Sequence, residues 1–230
     1  MKRVQAKELM DASDLAPDTY AAVVGDLARV NRVTLAYRPT LGFVDAVLPG
    51  RRALRLLDVG FGDGDMLRRI ASHLAGRGIE AELVGIDLNP RSARAALRHP
   101  PAALPIDYRT GDYADLAGES WDVIVSSLVA HHMTDAELIA FLRFMEAEAA
   151  LGWLVNDLHR HRIAHLGWPL LAAAARWHPI VRHDGHVSIA RSFVAADWHR
   201  LLGAAGIGDA RITRRFPFRL CVERCRIRPH

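Results

Sequence analysis

The chain has 230 residues, of which 50% are hydrophobic and 24% are charged, a balance typical of a globular protein with a sizeable core. No apolar run reaches the roughly 18 residues of a membrane span, and the polar, acidic start MKRVQAKELMD does not resemble a signal peptide. The net charge of +4 comes mostly from arginines scattered along the chain, without the interleaved aromatic residues that favour nucleic-acid binding.

These features predict one domain over residues 1–230 with no nucleic-acid partner and no membrane span, as a monomer or a homodimer. The two cysteines, Cys221 and Cys225, lie four residues apart on one late segment. Along a strand this separation is too long for a comfortable disulfide. We therefore interpret both as buried thiols of a protein in the reducing cytoplasm.

Residues 8–48 predict two amphipathic helices, which Pro39 separates. The second of these helices spans about residues 40–48. One interpretation of residues 1–50 is an extension that packs against the domain. The other is a helical cap that closes over a ligand, with Tyr37 or Arg38 reaching towards it.

The strongest signal lies between residues 54 and 74. An apolar run typical of a buried strand ends beside Asp58, and a turn with Gly60, Gly62 and Gly64 follows it. A helical pattern of apolar residues then begins. Strand, glycine turn and helix in this order build the nucleotide pocket of an α/β sheet, because glycine lets the backbone approach a ligand closely.

The charges beside this turn separate two classes of cofactor. A dinucleotide site places a pyrophosphate at the helix N-terminus and has a further glycine where this chain has Asp65. Asp63 lies two residues before it, and a like-charge contact near 4 Å costs about 4 kcal/mol at an effective dielectric of 20. S-adenosylmethionine (SAM) carries no phosphate and has a sulfonium and an ammonium. The acidic turn therefore favours SAM.

The second and third predicted strands also end in acids. Residues 81–87 form an apolar strand that ends at Asp87, where a carboxylate can accept both hydroxyls of a ribose. A helix N-cap is the alternative role for Asp87, but Asn89 and Pro90 already supply a cap and a first turn. Residues 106–109 form a short third strand, which Asp112 follows. The alternative role for Asp112 is a purely structural one, as a turn-forming aspartate.

Two adjacent histidines follow the predicted fourth strand, residues 121–128. His131 and His132 lie where parallel strands end, and this edge of an open α/β sheet holds the ligands. An imidazole titrates near neutral pH and can take a hydroxyl proton. Paired histidines can also bind metals, but no carboxylate cluster accompanies them in the sequence, so we expect no metal. The alternative is a hydrogen-bonded loop histidine.

A long insertion follows the fifth strand, which spans residues 152–158. Residues 159–192 are apolar, aromatic and rich in histidine, and they include His183. They form either a lid over the acceptor or a dimer face or ordinary core. A helix at 195–205 and two strands at about 210–216 and 219–227 complete the chain as an antiparallel hairpin.

The pattern Asp58-x-Gly60-x-Gly62-x-Gly64, with the strand order around it, resembles the class I SAM-dependent methyltransferases over residues 54–158. RHDG at 182–185, SIARSF at 188–193 and PFR at 217–219 resemble small bacterial methyltransferases associated with polyketide-like phenolic metabolites. The resemblance implies a Rossmann-like α/β fold: an open sheet of about seven strands, mostly parallel, with a C-terminal antiparallel hairpin and helices on both faces.

The resemblance also implies roles for individual residues. Asp58 and the three glycines would hold the amino-acid end of SAM, Asp87 the ribose and Asp112 the adenine. Phe61 departs from the smaller or polar residue of many relatives and would pack against SAM or close part of the pocket. The predicted cofactor-binding residues are Asp58, Gly60, Phe61, Gly62, Gly64, Asp87, Leu88, Asp112, Tyr113 and Ser126.

The expected reaction is methyl transfer from SAM to a hydroxyl of a small aromatic or polyketide-like molecule of secondary metabolism, with S-adenosyl-L-homocysteine (SAH) as the product. His131, His132 and His183 are the candidate catalytic residues, since a phenol with a pKa near 10 needs help to ionise at neutral pH. Two alternatives stay open. One is carbon methylation of a quinone-type ring, and the other is a non-catalytic SAM-binding protein.

Overall fold

The computed structural model describes residues 1–12 and 14–226. In this part of the chain seven strands form one sheet in the order β3-β2-β1-β4-β5-β7-β6. Their bounds are β1 Ala53–Val59, β2 Glu80–Asp87, β3 Ile106–Thr110, β4 Trp121–Ser127, β5 Ala149–Leu158, β6 Arg211–Arg215 and β7 Arg219–Cys225. Strands β1 to β5 are parallel, and β7 lies antiparallel between β5 and β6. This is the predicted open sheet with its C-terminal hairpin.

Eight α-helices surround the sheet in the described chain. They are α1 Pro17–Val33, α2 Tyr37–Val47, α3 Asp65–Ala75, α4 Pro90–Ala96, α5 Asp135–Glu148, α6 Arg162–Ala174, α7 Pro179–Arg191 and α8 Ala195–Ala205. None of the described helices is long and apolar enough to cross a membrane.

Both faces of the sheet are covered by helices, which explains the continuous apolar runs of β1 and β4. On one face Phe141 of α5 and Trp198 of α8 pack against the sheet. On the other face Phe43 of α2 and Ile70 of α3 do so. Because every parallel strand points the same way, the acids and histidines at the strand ends meet along one edge.

The sequence predicted that Pro39 separates the first two helices, but the structure places the break before it. Helix α2 begins at Tyr37, so Pro39 lies in its first turn, where the missing N–H has no intrahelical partner to lose. The chain turns instead over residues 34–36, where Leu35 has a φ of 53°. The expectation that a proline ends a helix failed because the same residue is well suited to a helix start.

In the insertion after β5, the alanine-rich stretch 170–177 predicts one helix, but the structure has two, α6 and α7. Pro169 lies inside α6 and hid its first half from the pattern. Trp168 of α6 and Val181 of α7 pack with Val23 of α1 in a separate small core. Cys221 is buried as predicted, but Cys225 is exposed. Residue 227, the predicted end of the last strand, lies outside the described residues.

Candidate active site

The turn between β1 and α3 has the backbone geometry that its glycines imply. Gly60, Gly62 and Gly64 all have positive φ, at 79°, 59° and 75°. At Gly60 a Cβ atom would also collide with the side chain of Val129, at the end of β4. The turn therefore presses against a neighbouring strand end and leaves its N–H groups open to one edge of the sheet.

Asp58 lies beneath this turn as a buried acid. Its side chain is 1% exposed, and neither carboxylate oxygen has a hydrogen-bond partner. Burial, with the nearby charge of Asp87, raises the pKa of Asp58 to about 7. An unpartnered carboxylate at this depth attracts a cation, and no phosphate would be stable beside it.

Asp87, at the end of β2, is held by two backbone groups. One carboxylate oxygen accepts the N–H of Gly62 at 2.9 Å, and the other accepts the N–H of Asn89 at 2.8 Å. Burial raises its pKa, although these two hydrogen bonds oppose that effect. A carboxylate offers about four lone-pair sites, so Asp87 keeps acceptor capacity for the hydroxyls of a ligand.

A cavity of about 660 Å³ opens along this edge of the sheet. That volume is in the range of small-molecule sites. Its floor is the glycine turn and the ends of β2 and β4, and its walls come from α1, α6, α7 and the segment before α1. Tyr20, Val24 and Leu27 from α1 line it, as do Trp168 from α6 and Ser188 from α7.

Eight of the thirteen predicted site residues line this cavity. They are Gly60, Phe61, Gly62, Asp87, Leu88, Tyr113, His131 and His132. The other five, Asp58, Gly64, Asp112, Ser126 and His183, are not among the lining residues.

Three of these five have clear structural roles. The hydroxyl of Ser126 donates to the carbonyl of Val59 and so joins β4 to β1; Ser127, the next residue, lines the cavity instead. Asp112 is exposed and accepts the N–H of Ala114, which is the turn-forming role. His183 is a half-exposed residue on α7. The prediction that Ser126 and His183 contact ligand is therefore not supported by their positions.

Two aromatic residues give the cofactor end of the cavity its shape. Phe61 is buried, and its ring lies 5.0 Å from that of Tyr108, centroid to centroid. Tyr113 packs against Phe141 and Phe144 and lines the cavity beside Gly111. Phe61 thus packs into the turn as a fixed wall, in agreement with the expectation that it closes part of the pocket.

The histidine pair also lines the cavity, and carboxylates surround it. Nδ1 of His131 lies 2.7 Å from Asp157, and the backbone N–H of His131 donates to the same carboxylate at 2.8 Å. Nε2 of His131 faces Glu8 at 3.5 Å. His131, Asp157 and Glu8 are all buried.

These contacts set the charge state of His131. Burial alone would lower the pKa of His131, but the carboxylates of Asp157 and Glu8 outweigh burial and raise it to about 9. Burial opposes ionisation of Glu8, yet its hydrogen bond and charge contacts with the histidines lower the pKa of Glu8. In the structure as it stands, His131 is protonated at neutral pH.

His132 stacks against His131 and has its own acidic neighbours. The two ring centroids are 4.4 Å apart. Nε2 of His132 lies 3.6 Å from Glu8, and Nδ1 lies 3.3 Å from Asp11. We expected no metal because no carboxylate cluster accompanies the two histidines in the sequence, but the structure places carboxylates beside both of them.

Only one of these three acids could have been predicted from the sequence. Asp157 could have been found, because it ends a buried strand as Asp58 and Asp87 do. Glu8 and Asp11 could not, because they precede the histidines by more than a hundred positions and no local pattern predicts a contact over that separation. A segment before α1 brings them to the cavity.

Comparison with known families agrees with this geometry. Residues 56–147, from β1 to the end of α5, match the family model described as a methyltransferase domain. Over this segment, about two fifths of the chain, the protein is similar to that family. The segment contains the glycine turn, the ends of β1 to β4 and the histidine pair, so the match covers the floor of the cavity. No curated protein matches the chain.

Solved structures similar to the domain include several methyltransferases with SAM or SAH bound. Human N-acetylserotonin methyltransferase in complex with SAM is 18% identical with a TM-score of 0.65, covering 96% of this chain and 59% of that one. Magnesium protoporphyrin IX methyltransferase from Synechocystis PCC 6803 with bound SAH is 19% identical with a TM-score of 0.57, covering 85% and 83%.

A SAM-dependent methyltransferase from Aquifex aeolicus is 15% identical with a TM-score of 0.61, covering 91% of this chain and 98% of that one. At these identities the neighbours show the fold, and the predicted Rossmann-like fold is confirmed. The predicted cofactor is also confirmed, by the methyltransferase domain match together with neighbours crystallised with SAM or SAH.

Proposed function

We propose that the protein transfers the methyl group of SAM to a hydroxyl of a small aromatic or polyketide-like molecule. The observation that carries this proposal is one cavity whose lining includes both the glycine turn with Asp87, which we call its cofactor end, and His131 with His132, which we call its acceptor end. A methyl donor held at the first end would point its reactive group towards an acceptor held at the second.

The cofactor end fits SAM better than a phosphorylated nucleotide. Asp58 is buried and Asp87 is partly buried at neighbouring strand ends, and each raises the cost of a nearby anion. The positive charge of SAM offsets that cost, and its ribose hydroxyls can donate to Asp87. The N–H groups of the glycine turn remain available for the carboxylate of the cofactor.

The acceptor end fits a small apolar molecule with a polar group. Side chains from α1, α6 and α7 make its walls, among them Val24, Leu27 and Trp168. These walls support the role of residues 159–192 as an acceptor lid and of α1 as part of a cap. A phenolic ring would lie between these walls with its hydroxyl at the histidine pair.

The reaction is a single in-line displacement. The acceptor oxygen forms a bond to the methyl carbon, the bond between that carbon and sulfur breaks, and its electron pair stays on sulfur. The acceptor proton is lost to solvent, and SAH leaves. Holding both reactants in line contributes up to about 7–11 kcal/mol to lowering the barrier in favourable cases.

The proposal is tested by incubating the protein with methyl-labelled SAM and a panel of phenols, carboxylic acids and quinones. We expect label in phenolic methyl ethers, with SAH formed in equal amount. Label on a ring carbon would favour the alternative, carbon methylation of a quinone-type ring. Tight SAH binding with no transfer to any acceptor would favour a non-catalytic SAM-binding protein.

The histidine pair gives a second prediction. We expect His131→Ala and His132→Ala each to lower kcat by about 10²–10³-fold, because each removes a polar group that stabilises the negative charge developing on the acceptor oxygen. SAH affinity, measured by calorimetry, should stay within about twofold of wild type, since the histidines lie at the acceptor end. The control is His183→Ala, on the half-exposed face of α7. Full turnover in both variants would contradict the assignment.

A further inference from the structure

Three side chains at the acceptor end of the cavity have a geometry that the methyltransferase fold does not require. Glu8, His131 and His132 offer three ligand atoms that all lie within 4.8 Å of one another. Glu8 lies between the rings, with one oxygen 3.5 Å from Nε2 of His131 and the other 3.6 Å from Nε2 of His132. All three residues line the cavity.

These distances match a metal site more closely than direct pairing. A tetrahedral metal with bonds of about 2.0–2.1 Å to nitrogen and oxygen holds its ligand atoms about 3.3–3.4 Å apart. The two separations from Glu8, which run to different oxygens of its carboxylate, lie just above this value, and the three ligand atoms all lie within 4.8 Å of one another. A charge-assisted hydrogen bond would instead bring nitrogen and oxygen to about 2.7–2.9 Å, as Asp157 does with His131.

The surrounding carboxylates complete the pattern. Metal-binding histidines almost always donate their second ring N–H to a carboxylate, a backbone carbonyl or water, which fixes the tautomer and turns the other nitrogen to the metal. Asp157 is placed to do this for His131 at 2.7 Å, and Asp11 for His132 at 3.3 Å. In each of the two imidazoles, Nδ1 therefore faces an aspartate and Nε2 faces Glu8.

We propose that Glu8, His131 and His132 bind one divalent transition-metal ion, with an open coordination position towards the acceptor. Two imidazoles and one carboxylate suit zinc, iron, cobalt or nickel rather than magnesium or calcium, which prefer oxygen ligands. A ligand nitrogen must be unprotonated, so metal binding would release any proton that the two imidazoles carry.

The charges nearby allow such an ion. Glu8, Asp11 and Asp157 supply three carboxylates, and Arg191 opposes them at 3.6 Å from Glu8. Arg191 also donates to the carbonyls of both histidines and so holds their loop in place. The acids outnumber the arginine, so a divalent cation stays favourable, although Arg191 weakens its binding.

The site deepens the proposed function and rests on it for its catalytic role. A hydroxyl bound at the open position would ionise more easily, because the cation stabilises the oxygen anion. The oxygen then attacks the methyl carbon of SAM, the electron pair of the broken bond stays on sulfur, and the acceptor proton goes to solvent. The metal keeps its oxidation state throughout, so no oxidant or reductant is needed.

The test is metal binding to the full chain, measured apart from activity. Protein dialysed against a chelator is titrated with Zn²⁺ by calorimetry, and Co²⁺ is added separately to record its visible absorption bands. We expect one Zn²⁺ per chain and a tetrahedral or five-coordinate cobalt spectrum. Glu8→Gln and His132→Ala should weaken Zn²⁺ binding at least 100-fold, and Asp157→Asn by about 10–100-fold as a positioning residue.

His199→Ala is the matched control, because it removes an exposed histidine of α8 that lies outside the cavity and should leave Zn²⁺ binding unchanged. Glu8→Gln keeps the size of a buried side chain, and His132 is partly exposed, so circular dichroism should show both variants folded. Absence of stoichiometric Zn²⁺ binding, or equal binding by both variants and wild type, would overturn the metal site. Methyl transfer by the chelator-treated protein at the full rate would overturn its catalytic role while leaving the proposed function intact.

Discussion

At the scale of single residues, Asp58 carries the argument for a cationic cofactor. Four acids near the first two strand ends suggested this in the sequence, but the structure separates them. Asp63 lies beside Arg68, Asp65 meets the hydroxyl of Tyr37, and Asp87 accepts backbone N–H groups. Asp58 has no hydrogen-bond partner, so its charge is the one that a bound sulfonium or ammonium would stabilise most.

This leads to a pH prediction for cofactor binding. Asp58 has a pKa of about 7, and the cation prefers its ionised form, so SAM affinity should fall as the pH drops through 7. Between pH 8 and pH 6 the ionised fraction falls about tenfold, and we expect a similar loss of affinity by calorimetry. Asp58→Asn should bind SAM weakly with a flatter pH profile, whereas Asp107→Asn, an exposed control, should behave as wild type. An unchanged profile in Asp58→Asn would contradict this role.

The same carboxyl should make the cofactor-free protein less stable. Its folded pKa is raised above the unfolded value, so the cost to folding grows as the pH rises from about 4 to 7 and is constant above that. Asp58→Asn should therefore raise the free energy of unfolding by about 2–4 kcal/mol at pH 8 and by little near pH 4. Urea unfolding without SAM measures this. A loss of stability at pH 8 would show that Asp58 has a partner in solution.

At the scale of elements, the parallel strands could be predicted and the segment before α1 could not. Each strand is a buried apolar run that ends in a turn, and Asp58, Asp87 and the histidine pair follow from that local pattern. Residues 8–16 were expected to begin the first amphipathic helix, but that helix begins at Pro17, and the segment before it is positioned by contacts with distant parts of the chain. Arg3 bonds to the carbonyl of Met133, for example. The acids Glu8 and Asp11 were missed for this reason.

One buried carboxylate anchors that segment. Asp184 of α7 accepts the N–H of Leu9 at 2.8 Å and of Met10 at 2.9 Å. Asp184→Ala leaves both donors without their partner, at about 1–3 kcal/mol each when buried. We expect KM for the acceptor to rise about tenfold or more, while SAH affinity measured by calorimetry changes less than about twofold.

His183→Ala is the control for this substitution. It removes a neighbour that contacts Asp184 from the half-exposed side, at 2.9 Å, without touching the segment. KM for the acceptor should stay at the wild-type value. An unchanged KM in Asp184→Ala would show that the segment keeps its position without this anchor.

At the scale of the whole molecule, the cavity lies between two parts of the structure. The sheet and its flanking helices form the floor, while α1, α6 and α7 pack in their own small core above it. The fold and the cofactor could be predicted from the residues of the floor, because each strand and turn there has its own local sequence pattern. The shape of the acceptor end depends on how α1, α6 and α7 pack together, and no local sequence pattern predicts the packing of helices so far apart in the chain.

A ligand at the floor should therefore stabilise the protein measurably. SAH at 100 times its dissociation constant adds about 2.7 kcal/mol, and for a chain of this size each kcal/mol raises Tm by about 2–4 °C. We expect a shift of about 5–10 °C in thermal unfolding. NAD at the same concentration should give no shift, because its pyrophosphate would meet the acids of the turn. Gly60→Ala should abolish the SAH shift, since a Cβ there meets Val129. A shift with NAD and none with SAH would refute the cofactor assignment.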